Sequence, residues 1–140
     1  MRYLTPVLSV LTIALLGCAG WQFLQSRMEP AVVVTGGEVF DAGKVASGKS
    51  VTHVFKVENK NSFSVGLAAP VAGCTCTTAT VSSSVIPAHG FADVTLHVEP
   101  EDGAITGSAS VTTWHGSKSV ETVLFVTGES PARSKTTPNQ

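Results

Sequence analysis

Charge is scarce in this chain, and that scarcity narrows the possibilities first. Asp, Glu, Lys and Arg make up 14% of 140 residues, against roughly a quarter in an average soluble protein. Between Pro30 and Gln140 stand seven Lys/Arg and nine Asp/Glu, a net of −2. No basic surface for a polyanion can be built from that balance, which excludes nucleic-acid binding. Cysteine is nearly as sparse: Cys18, Cys74 and Cys76 are the only three. Cys74 and Cys76 lie too close together to staple two sheets, so any fold must be held by apolar packing. No acid/base pair, phosphate-binding loop or complete metal-ligand set occurs. Gly36-Gly37 lacks a strand-to-helix context, Ser82-Ser83-Ser84 reads as a loop, and Asp41 suits turn hydrogen bonds better than proton transfer.

Charge is also missing in one continuous stretch. Tyr3 to Ser26 carries none, with Arg2 before it and Arg27 after it. As a helix this run would span about 36 Å, enough for a hydrocarbon core of ~30 Å. Trp21 and Phe23 near its far end suit the membrane interface, and Arg2 with the amino terminus directs the rest of the chain outward. Leu15-Leu16-Gly17-Cys18 resembles the bacterial lipobox, which would make Cys18 a lipidation site. A charged start, an apolar stretch and a small residue also fit a signal peptide. A lipid anchor, an uncut membrane span and a cleaved leader all export the remainder of the chain. The expected organisation is a leader or anchor over residues 1–27, a linker over 28–35, one domain over 36–129 and a disordered tail over 130–140.

What fills the exported part is Val, Thr and Ser in short alternating runs. Ala31 to Val34 and Val39 to Val45 are extended segments separated by Gly36-Gly37. Ser50 to Glu58 alternates cleanly, with Val51, His53, Phe55 and Val57 on one face. Asn59 to Ser62 is a polar turn, and Phe63 to Leu67 is another strand. Phe91 to Val98 turns Ala92, Val94, Leu96 and Val98 inward; Ile105 to Trp114 and Ser119 to Thr127 form a closing hairpin. No helical period occurs beyond the leader. About seven strands at roughly ten-residue spacing predict an all-β, immunoglobulin-like antiparallel β-sandwich behind one N-terminal hydrophobic helix. Its core is expected from Phe55, Val57, Val65, Leu67, Val94, Leu96, Val111, Leu124 and Val126.

The ordered set of segments carries a resemblance. Val39-Phe40-Asp41-Ala42-Gly43-Lys44-Val45 is followed by Gly48 and by Val51 to Asn59. Gly73-Cys74-Thr75-Cys76-Thr77-Thr78, Ile86-Pro87-Ala88-His89-Gly90 and Leu124-Phe125-Val126-Thr127-Gly128 come after them. Together, over about Val39 to Gly128, they resemble domain-of-unknown-function family 1573. Its members are exported bacterial immunoglobulin-like domains related in style to PapD-like and major-sperm-protein-like sandwiches. The resemblance implies fold and compartment and brings no activity with it. The family usually has Cys-Gly-Cys where this chain has Cys74-Thr75-Cys76, and Pro-Gly where it has Pro87-Ala88.

The cysteine pair leaves three readings open. In an extended strand, residues two apart have Cα atoms about 6.6–7 Å apart, at the limit for a disulfide, and β-branched Thr75 favours extension. A bridge would therefore need a bent backbone, and it could serve thiol exchange. Same-face thiolates could instead hold a soft ion such as copper, with His53 as the best additional ligand. The plainest reading is that both cysteines pack as small apolar groups or remain free thiols. The resulting expectation is a non-catalytic interaction or scaffolding module, tethered to the membrane, exported and bound to an envelope protein. Metal capture or thiol exchange at Cys74 and Cys76 is the alternative.

Overall fold

The structure is a computed structural model that describes residues 17, 30–100 and 103–131. Ten strands follow one another: β1 (Val32–Thr35), β2 (Val39–Lys44), β3 (Val51–Asn59), β4 (Val65–Leu67), β5 (Val71–Ala72), β6 (Thr77–Val81), β7 (Val85–Ile86), β8 (Phe91–Val98), β9 (Ala104–His115) and β10 (Lys118–Glu129). β4, β5 and β7 have only two or three residues, which leaves seven of four or more. They form two sheets. The smaller runs β1-β3-β8-β6; the larger runs β2-β10-β9-β4-β7, with β5 also paired to β9. The all-β sandwich expected from the alternation is the observed architecture.

Alternation explains the packing strand by strand. Phe55 and Val57 of β3, and Ala92, Val94, Leu96 and Val98 of β8, point inward from the smaller sheet. Val65, Leu67, Ile86, Ile105, Ala109, Val111, Leu124 and Val126 meet them from the larger one. All nine expected core residues are buried. Truncating a fully enclosed residue such as Leu96 or Leu124 to Ala would cost about 2–5 kcal/mol through lost burial and the cavity left behind.

The ends of the domain differ from the expected organisation, and one pairing there is not antiparallel. Residues 32–35, expected at the end of a linker, form β1 and pair with Lys56–Asn59 of β3. Gly36 and Gly37 then adopt φ of 88° and 98°, a region open to glycine at little cost, and the chain crosses to the other sheet. There β2 lies parallel to β10, with Val39 opposite Phe125 and Asp41 opposite Thr127. Strands so far apart in sequence need no hairpin between them, so nothing forces an antiparallel pairing. At the other terminus Ser130 is buried and its N–H bonds the Gly103 carbonyl at 3.1 Å. The packed domain therefore includes the first residue assigned to the tail.

A buried side chain ties the two sheets at one end. Asn59 shares the inward parity of Phe55 and Val57 and is 1% exposed. Its amide N–H groups donate to the carbonyls of Phe63 (2.7 Å), Pro87 (3.0 Å) and Ile86 (3.2 Å). Its oxygen accepts from the Asn61 backbone at 2.9 Å and from the Asn61 side chain at 2.8 Å. His89, the one non-glycine with positive φ among the described residues, turns at φ 55° and donates its N–H to the Asn61 carbonyl. The segments Val51–Asn59 and Ile86–Gly90, separate in sequence, are thus one clasp.

Candidate functional site

The chain crosses from the larger sheet to the smaller at the cysteine pair, and the crossing bends it. After β5 the Gly73 N–H donates to the Ser108 carbonyl at 2.8 Å. A Cβ on Gly73 would stand 2.2 Å from Ser108 Oγ, so a larger residue here would have to turn that hydroxyl aside for the chain to lie this close to β9. The Thr77 N–H then closes a turn onto the Cys74 carbonyl at 3.2 Å, and the Glu99 N–H bonds the Cys76 carbonyl at 2.8 Å where β6 joins β8.

Within this turn Cys74 and Cys76 are joined by a disulfide, with Cα atoms 5.3 Å apart. The expectation of two packed or free thiols on an extended segment is thereby corrected. Residues 73–76 are turn rather than strand, and Thr75 holds its place at negative φ, so the glycine usual in the family is not needed there. Cys74 is exposed and Cys76 half-buried. A loop this short constrains the unfolded chain little. The chain-entropy relation gives about 1.6 kcal/mol for three residues against about 3 for fifteen.

Thr77, buried directly after the turn, points its hydroxyl at the sulfurs. Oγ1 lies 3.2 Å from Cys74 Sγ and 3.8 Å from Cys76 Sγ. Bridged sulfurs have no proton to give, so the hydroxyl is the donor. It meets no other hydrogen-bonding group among the described residues. Room for it comes from Gly107, where a Cβ would stand 2.6 Å from Thr77 Oγ1 and 2.4 Å from Val98. On its other side Cys76 Sγ lies 3.7 Å from the Thr106 carbonyl oxygen.

His53 is placed elsewhere. Its ring stacks on Phe40 with centroids 3.6 Å apart and meets Phe55 edge-on at 4.7 Å. Burial lowers its pKa below the ordinary histidine value. Among the described residues no group of three or more His, Cys, Asp or Glu is gathered for a metal, so the structure brings Cys74 and Cys76 together and leaves His53 among aromatic rings. Of the other imidazoles, His97 shares a 2.8 Å hydrogen bond with Thr52, His115 stacks on Phe63 at 4.0 Å, and His89 is exposed in its turn. The Asp41 carboxylate accepts the Gly43 N–H at 2.8 Å, the turn role expected for it. Cys18 and the rest of the leader, apart from Gly17, lie outside the described residues. Among those described, no helix is long and apolar enough to cross a membrane.

A surface that sequence reading did not assemble adjoins the crossing. On the outer face of the larger sheet, register places Val39 beside Phe125 and Phe125 beside Ser108. The next row sets Val123 beside Ser110 and Ser110 beside Val71. The row after that pairs Glu121 with Thr112, and Trp114 stands in the row beyond it, lying over Gly66 so closely that a Cβ there would stand 2.1 Å from the indole. Val39 is 60% exposed, Val71 66%, Trp114 50% and Phe125 40%. Ser108, Ser110 and Thr112, all small, separate them along β9. The outward positions of β9 and β10 were legible from alternation; which of them lie side by side depended on the register.

Fold and site together define an immunoglobulin-like β-sandwich that carries a short disulfide at its crossing and apolar groups on one outer face. Residues 34–129 match the model of the family described as protein of unknown function (DUF1573), and the chain belongs to that family. Among solved structures it is similar to a protein of unknown function from Porphyromonas gingivalis W83, at a TM-score of 0.59 and 13% identity over 74% of this chain and 48% of that one. It is similar also to the ASH / PapD-like domain 7 of human CEP192, at 0.57 and 12% over 76% and 89%. A third likeness is to the VesB protease of Vibrio cholerae, at 0.57 and 9% over 77% and 34%. The chain spans about half of the Porphyromonas structure and about a third of the protease, and at these identities the likeness is one of fold. No curated protein matches.

Proposed function

We propose that this chain is a non-catalytic interaction module of the bacterial cell envelope, exported and membrane-tethered by its leader, that docks a protein partner on the outer face of its larger sheet. The observation that carries this reading is the exposed apolar run of Val39, Phe125, Val123 and Val71, set beside Ser108 and Ser110, with Trp114 two rows further along β9. Aromatic anchors set among small residues are the composition of an interface core, and a bare apolar patch on a soluble domain is a binding surface or a liability. Asp41 and Glu121 at its margins supply a polar rim. Two sheet edges are available as well, since β1 and β2 each end a sheet, and either could accept an added strand. The uncharged run from Tyr3 to Ser26 supports the tether, by lipid at Cys18 or by an uncut span.

Site-specific photo-crosslinking of the full-length chain in intact cells tests the reading. A crosslinker at Phe125 or Val123 is expected to capture a discrete envelope protein, while one at Val54 on the opposite sheet captures none. Equal adducts from both faces, or fractionation of the chain with the cytosol, would refute it. Copper capture by Cys74 and Cys76, with or without His53, would require the disulfide to be opened first, because Cu(I) binds thiolates.

A further inference from the structure

We infer that Cys74–Cys76 is a thiol-exchange site whose two sulfurs have different tasks, with Cys74 the exchanging sulfur and Cys76 the resolving one. Its substrates are the thiols of dithiol proteins or small peptides that reach the exposed turn. This proposal does not depend on the docking face.

Three observations converge. The bridge closes a loop of three residues, so holding the fold together is a small part of what it can do. Its two sulfurs differ in access: Cys74 is exposed and Cys76 half-buried. Their polar neighbours also differ, and in complementary senses. The Thr77 hydroxyl, 3.2 Å from Cys74 Sγ and 3.8 Å from Cys76 Sγ, is the nearer to Cys74 and can donate to a thiolate there. The Thr106 carbonyl oxygen, 3.7 Å from Cys76 Sγ, can only accept, and so favours a protonated thiol on that side. Opening the bridge would leave Cys74 as the held thiolate and Cys76 as the thiol. The nucleophile in exchange is the thiolate.

The exchange balances as a two-electron transfer. A thiolate of the substrate attacks Cys74 Sγ; a sulfur–sulfur bond forms between them as the Cys74–Cys76 bond breaks. Cys76 leaves with the electron pair, takes up one proton and donates its S–H to the Thr106 carbonyl. A second substrate thiolate then attacks the substrate sulfur of the mixed disulfide and expels Cys74 as a thiolate that accepts the Thr77 O–H. The substrate dithiol is oxidised to a disulfide, the cysteine pair is reduced, and one of the two substrate protons is released. Run backward, the same steps reduce a substrate disulfide.

The test uses the full-length chain, reduced by glutathione under native conditions and then alkylated with iodoacetamide across a pH series, with peptide mapping of each cysteine. Glutathione is expected to open the bridge while the circular dichroism stays that of the folded domain. Cys74 is then expected to alkylate at lower pH than Cys76. Thr77→Val keeps the shape and removes the donor. It should slow Cys74 alkylation about threefold at neutral pH and speed it by a similar factor in alkali, because lost thiolate population is partly offset by greater reactivity. Thr77→Ser, which keeps the hydroxyl, should restore the wild-type curve and guards against a packing effect of the valine. A bridge that opens only when the domain unfolds would overturn the proposal. So would equal alkylation of the two cysteines, or a Thr77→Val curve identical to the wild type.

Discussion

On the outer face of the smaller sheet, the Lys56 ammonium lies 4.0 Å from the centre of the Phe91 ring. Lys60 pairs with Glu58, and Thr52 bonds His97 across to β8. Val33 and Val54 are exposed there too, about as much as Val39 and Trp114 are on the larger sheet. The two faces therefore differ less in how much apolar surface they show than in what stands beside it. On the smaller sheet Val33 and Phe91 both face Glu58 across the ladder, and Val54 faces Thr95. On the larger, Phe125 and Val123 face Ser108 and Ser110, and Trp114 faces Ser119 and Gly66, with Glu121 opposite Thr112 in the row between. Scattered exposed valines are ordinary in folded proteins. The run of Val39, Phe125, Val123 and Val71, set beside serines, is a surface that a partner can cover without first stripping water from charges.

The largest expected effect acts on neither face but on the tie between the sheets. Asn59→Ala would leave the carbonyls of Phe63, Ile86 and Pro87 without their shared donor. A loss of about 3 kcal/mol is expected in urea unfolding, with hydrogen-exchange protection falling in β3 and β7 together. If only one sheet loosened, the clasp would not be what joins them. Next comes the contrast itself. Phe125→Glu should weaken partner capture at least about tenfold, with stability changed by no more than about 0.5 kcal/mol, while Val54→Glu leaves capture intact. Equal losses from the two would erase the distinction between the faces.

Lys56→Ala uncovers Phe91 and should make the smaller face resemble the larger. A cost of about 0.5–1 kcal/mol and a rise in binding of an apolar dye are expected. Unchanged dye binding would mean that the lysine is not the cover. The smallest effect is one of pH. Burial lowers the His53 pKa in the folded state, so the unfolded chain binds the proton more readily. His53 therefore contributes stability that is present above its unfolded value, near 6.5, and lost as pH falls from there through the lower folded value. His53→Phe should flatten this part of the stability profile, measured by denaturant midpoints from pH 7.5 to 5.

Much of the fold was legible because burial follows parity. Phe55, Val57, Val94, Leu96, Leu124 and Val126 alternate with Thr and charged residues, and no other period competes. Asn59 shows where parity was followed too loosely. It continues the inward series of Phe55 and Val57, yet as the first residue of Asn59-Lys60-Asn61-Ser62 it reads as turn, and the buried clasp went unseen. The disulfide escaped for a different reason. Extension at Cys74 to Cys76 was inferred from Thr75, whereas Gly73 lying against Ser108 and the Thr77 N–H bond to Cys74 set the bend. Those partners are 30 or so residues away or on the backbone itself, where side-chain propensity has nothing to say. The parallel pairing of β2 with β10 and the rows of the larger sheet's outer face are likewise matters of register between distant strands.

That parallel pairing also has a mechanical side. β2 enters from the amino-terminal side and β10 leaves toward the carboxyl terminus, and they run in the same direction along each other. Tension between the two ends of the domain would pull these strands in opposite senses along their shared axis, so the bonds between them would be sheared as a set instead of unzipped singly. β1, joined to β3 on the other sheet, stands ahead of them in the line of load. A pull applied to the two ends of this domain would thus be met in shear, where the bonds between β2 and β10 must break together.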